Sequence, residues 1–208
     1  VAQTPKITQT SLWDRIYLLS TASQEKRFFA VPFGQPDPDN TGAGAKQISD
    51  TNLGTAQRLN DPESFDCYSI QFILQSGTPE ADADDIFNKA WLEFYTGGGQ
   101  ILSWQSPAKV VTAGMGYPAS SASTVHAQNG FPSPGAIVMF KYPIVIGINE
   151  NFYVSIKFGS ALALAAARYV SLVLNGDHYM VDVIDPSTGQ STRRSAGSGG
   201  ALMAAPKQ

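Results

Sequence analysis

The sequence predicts an all-β protein: an antiparallel β-sandwich of about eight strands, with one internal helix and a short N-terminal helix. Three observations point there. Eight or nine short segments either alternate apolar and polar residues or run apolar between turn signals. Only one internal stretch has helical character. Helices do not alternate with strands as a parallel sheet requires. The 208 residues suit a single domain, read as an arm and short helix over 1–26, a sandwich over 27–185 and a flexible tail over 186–208.

Residues 1–10, VAQTPKITQT, are polar and interrupted by Pro5, which suits an arm. In SLWDRIYLLS, Leu12, Ile16 and Leu19 fall at helical spacing, with Ser11 a capping residue and Asp14 three positions on. RFFAVPF, 27–33, reads as a strand that Pro32 pushes toward an edge. The following GQPDPDNTGAGAKQ is a loop by every local signal. Its Asp37, Asp39, Thr41 and Gly42 resemble the opening of a calcium loop, but Pro38 interrupts the pattern and Ile48 stands where a glutamate is needed.

FDCYSIQFILQ, 65–75, is the cleanest strand, with Tyr68, Ile70, Phe72 and Leu74 on one face. Thr78 and Pro79 then open a helix whose first turns carry Glu80, Asp82, Asp84 and Asp85, carboxylates that the helix dipole already favours there. WLEFY and QILSW flank TGGG as a hairpin. Residues 114–135 lack periodicity and read as a long surface loop. AIVMFKYPIVIGI and NFYVSIKF are strands around a polar corner, and RYVSLVLNGDHYMVDVI reads as a hairpin turning at Asn175-Gly176. Beyond Pro186 the chain is Gly-, Ser- and Ala-rich.

Composition narrows the function. Charged residues make up 15% of the chain, against about a quarter in an average soluble domain. A surface short of charge is one prepared for protein contact, since interface cores are depleted in charge. A net charge of −3 argues against direct nucleic-acid binding. No run of eighteen apolar residues exists to cross a membrane, and no secretory signal is expected.

Catalytic chemistry finds little material. Two histidines, His126 and His178, cannot assemble a multi-histidine zinc site, and neither has a G-x-S-x-G partner. Each reads as a loop histidine. Cys67 sits inside an apolar β-pattern and reads as a buried thiol. TGGGQ joins strands and GSGGA lies in the tail, so neither forms a phosphate loop. Glu93 and Glu150 are the acids placed near strands, the only candidates for a glycosidase pair. The expectation is therefore no enzyme, no cofactor and no metal. A carbohydrate-binding sandwich is the alternative, with Trp91, Trp104, Tyr95 and Tyr117 as candidate sugar-stacking rings.

A resemblance adds to this reading. FFAVPFG, KQISDTNLGTAQRLNDPESFDCYSIQFIL, WLEFYTGGGQILSWQSP and PIVIGINENFYVSIKF follow one another in an order that resembles jelly-roll capsid proteins of tailless icosahedral phages, some of which enclose a membrane. It covers roughly residues 27–184. The resemblance implies a single jelly roll, self-association into capsomers, and location in the virion after assembly in the host cytoplasm. Its partners would be copies of itself and other capsid proteins, and in some phages a membrane beneath the shell. A major capsid role fits better than a minor or vertex one. Leu12, Trp13 and Ile16 on the expected N-terminal helix are the candidate assembly contacts.

Overall fold

The computed structural model describes residues 7–21, 25–40, 44–60, 63–75, 77–112, 137–179, 183–184 and 191–192. Alternation of apolar and polar residues at period two sets the elements. They are β1 (Ile7–Leu18), β2 (Lys26–Phe28), β3 (Ser64–Leu74), α1 (Glu80–Lys89), β4 (Ala90–Thr96), β5 (Ile101–Pro107), β6 (Val138–Ile146), β7 (Tyr153–Phe158), β8 (Arg168–Tyr179), β9 (Val183–Ile184) and β10 (Ser191–Thr192). The first eight strands form two antiparallel four-stranded sheets, in the orders β1-β8-β3-β6 and β2-β7-β4-β5. β9 and β10 pair only with each other.

Aromatic rings join the two sheets into a sandwich. Phe28 of one sheet meets Phe72 of the other edge to face at 6.4 Å, and Trp104 meets Phe140 at 5.5 Å. Leu12, Ile16, Ile70, Leu74, Val170, Leu172 and Leu174 line the first sheet's inner face, and Leu92, Phe94, Val154 and Ile156 the second's. Helix α1 buries Ala83, Ile86 and Phe87, and Phe87 packs on Phe72. Its expected cap, Thr78, turns its hydroxyl back to the Gln75 carbonyl instead.

The expected N-terminal helix is absent: Ser11 to Leu18 lie within β1, which pairs with β8 over its whole length. The strand's inward positions are Leu12, Asp14, Ile16 and Leu18, all buried. Because one of these four is a carboxylate, the period-two pattern is broken in the sequence. Leu12, Ile16 and Leu19 then mimic a helical stripe, yet Leu19 is exposed. The sandwich consequently begins with β1 rather than near residue 27.

A second correction concerns Asn175-Gly176. β8 runs straight through this pair, so there is no hairpin turn. The glycine answers a different need. β3 carries a bulge between Cys67 and Ser69 opposite this point, and a Cβ on Gly176 would lie 2.0 Å from the Asp66 carbonyl oxygen. The TGGG hairpin, in contrast, is present: β4 and β5 pair around Gly97, Gly98 and Gly99, all at positive φ. The PIVIGINENFYVSIKF unit passes from one sheet to the other, with Glu150 accepting the Gly147 and Gly97 N–H groups at its corner.

Candidate functional site

Sequence reasoning placed assembly contacts on Leu12, Trp13 and Ile16. Leu12 and Ile16 are 5% and 6% exposed and belong to the core, so no neighbour can reach them. Trp13 faces outward from β1, where its indole N–H donates to the Ile48 carbonyl at 2.9 Å. These residues bind the chain to itself. The stretch around residues 47–53 lies along the outer edge of β1: Asn52 exchanges backbone and side-chain hydrogen bonds with Trp13 and Ser11, and Thr51 bridges Asp14.

The acids are likewise absorbed by structure. Asp82 accepts from the Ala165 N–H and the Arg168 guanidinium, and Asp85 from the Ala163 N–H and Lys89, so the acidic start of α1 anchors the segment before β8. Glu93 and Glu150 share no partner. Glu150 clamps two turns, while Glu93 accepts from Trp91 Nε1 at 2.9 Å, Tyr95 OH at 2.6 Å and Lys157 Nζ at 2.6 Å. Burial pushes the Glu93 carboxyl up, but these three donors outweigh it and hold it below the ordinary glutamate range. His178 stands 3.5 Å from Glu63; His126 and Tyr117 lie outside the described residues. Burial raises the Cys67 thiol far above its usual value. Among the described residues no three metal-capable side chains come together.

Two surfaces remain on which another molecule could act. The first is the outer face of the β2-β7-β4-β5 sheet. Register places Arg27, Ser155, Glu93 and Gln105 in one row across it, with Lys157 and Trp91 beside it and Tyr153 and Tyr95 on the other flank. Tyr95 stacks on Tyr153 at 4.9 Å, and the Arg27 guanidinium covers the Tyr153 ring at 4.4 Å. Trp91 and Tyr95, two of the four candidate sugar-stacking rings, thus flank one carboxylate, whereas Trp104 faces Phe140 between the sheets.

The second surface is a pair of open edges. Two sheets have four edges; β1 is covered by the residue 47–53 stretch and β2 is three residues long. β5 and β6 are seven and nine residues long, and no strand pairs outside either among the described residues. The Trp104–Phe140 contact sets them side by side. Here stand half of the large exposed apolar side chains among the described residues: Ile101, Leu102, Val110, Met139 and Tyr142. Open edges are commonly guarded by charge, yet between Glu93 and Lys141 the sequence holds one formal charge, Lys109. That gap is the signal from which this surface could have been found.

Met139 also borders a shallow depression of about 400 Å³ on the outer face of the other sheet. Its polar groups are already paired: Ser11 donates to Asn175, Asn175 to Ser69, and Tyr68 to Asp177. Burial and the neighbouring Asp177 charge push the Tyr68 phenol up to about 12. No family model matches the chain, and no curated protein or solved structure is detectably similar to it.

Proposed function

We propose that this protein is a structural capsid subunit that self-associates through its sandwich edges into capsomers and a closed icosahedral shell. We read the orders β1-β8-β3-β6 and β2-β7-β4-β5 as two interleaved Greek keys, a jelly roll. The observation that carries the function is the pair of long and nearly charge-free edges, β5 and β6, which among the described residues stay open on one side of that sandwich. An exposed apolar edge is a hazard for a monomer and an asset for a subunit whose neighbours cover it. Rings form when such a patch meets a different patch of the next copy and the rotation closes. The virion is then the site of action, with copies of itself and other capsid proteins as partners.

Solution mass followed by electron microscopy tests this. Closed rings or shell fragments support it; a strict monomer at high concentration counts against it. The second reading, a carbohydrate-binding module, rests on Trp91 and Tyr95 held on either side of Glu93 on an outer sheet face. A monomer that binds a glycan array and loses that binding in Trp91→Ala would favour it over the capsid role.

A further inference from the structure

Among the described residues, Asp14 and Lys46 form the one ion pair in which both side chains are almost wholly buried, at 0% and 5% exposure. Lys46 Nζ stands 2.7 Å from Asp14 Oδ1, and the two residues are 32 apart in sequence. The other carboxyl oxygen, Oδ2, accepts the Phe29 N–H at 2.6 Å. Phe29 holds φ at 67°, a conformation that a bulky L residue rarely adopts. That unusual backbone aims an N–H donor at the carboxyl, and strained backbone concentrated at one polar group is a pointer to chemistry. The Thr51 hydroxyl bonds the same carboxyl. Burial shifts the Asp14 carboxyl upward, against the pull of Lys46.

We propose that Lys46 and Asp14 condense into an intramolecular isopeptide bond that staples β1 to the connection between β2 and β3. The partners are an amine and a carboxyl held in contact and almost wholly buried. The reaction begins when a proton passes from Nζ to Oδ1, which leaves an amine beside a carboxylic acid. The Nζ lone pair attacks Cγ. The charge that develops on Oδ2 is met by the Phe29 N–H, which already points there. Nζ then releases a second proton to Oδ1, the Cγ–Oδ1 bond breaks, and water leaves. One ammonium and one carboxylate become one amide and one water, with no oxidant or co-reactant. Fixed contact replaces a bimolecular encounter, which is what makes a single slow turnover feasible.

Intact-mass spectrometry of the denatured full chain, after the folded protein has been held at neutral pH, decides the matter. The expected mass is lower than that of the sequence by one water. Digestion should yield a branched peptide joining the segments around Asp14 and Lys46, with cleavage blocked at Lys46. Lys46→Met and Asp14→Ala should each have the mass of their linear sequence, a readout that does not depend on folding. A wild-type chain of full linear mass overturns the proposal, leaving an ion pair only. So does a water loss confined to a linear peptide, or one that persists in Lys46→Met.

Discussion

Gly176 and Glu93 illustrate how far single residues are constrained here. At Gly176 the β3 bulge brings a backbone carbonyl within 2.0 Å of where a Cβ would sit, and backbone cannot rotate aside as a side chain can. Gly176→Ala should therefore cost at least the upper end of the ~1–3 kcal/mol typical of overpacking, seen as a lower thermal midpoint. Glu93 has a folded-state pKa below its unfolded one, because Lys157, Tyr95 and Trp91 together outweigh burial. Its stabilisation is then present above the unfolded value and disappears as pH falls through the folded one. Glu93→Gln should be less stable than the wild type at neutral pH. The two stability curves should converge below about pH 4, as denaturant midpoints measured across pH would show.

At the scale of elements, what could be read from the sequence depended on whether a side chain's polarity matched its position. β3 was legible because Ile70, Phe72 and Leu74 recur at every second position with Ser69 and Gln71 on the opposite face, and the three glycines of 97–99 announced their turn. β1 was not, because a buried ion pair puts a carboxylate where the pattern calls for an apolar residue. Nor was the straight course of β8, since asparagine followed by glycine signals a turn unless a bulge in the adjacent strand demands the glycine. The misreading of β1 carried the candidate contacts with it. Ile16→Ala should destabilise the protein by ~2–5 kcal/mol as a core truncation, measured by chemical denaturation. Variants that remain folded should associate as the wild type does. Deletion of β1 should remove the folded state altogether rather than trim an arm.

For the whole molecule, the decisive property is which edges are guarded. Trp13, Asn52 and Thr51 close one edge, and the shortness of β2 leaves little of another. The side bearing Leu102 and Met139 lacks such cover among the described residues. Leu102→Lys and Met139→Lys should each weaken self-association by about tenfold or more, ~1.4 kcal/mol in binding, in sedimentation measurements. Their melting temperatures should stay within experimental error of the wild type, because both side chains are exposed. The stretch from Phe94 to Phe140, with Lys109 its one formal charge, is the trace this side leaves in the sequence. Its continuity could not be seen there, since β5 and β6 belong to different sheets and are joined by the contact of Trp104 with Phe140.

The pairing of Ile7 with Tyr179 has a temporal side. The ribosome makes β1 first among these eight strands, yet its hydrogen-bonding partner β8 arrives last. At roughly 5–20 residues per second, β1 waits on the order of ten seconds or longer for that partner. Such long-range pairing also slows the folding step itself, as it does in other β-sandwiches. A chain built this way cannot complete its first sheet until β8 has emerged. Unfinished chains are thus kept from closing that sheet around the wrong strand.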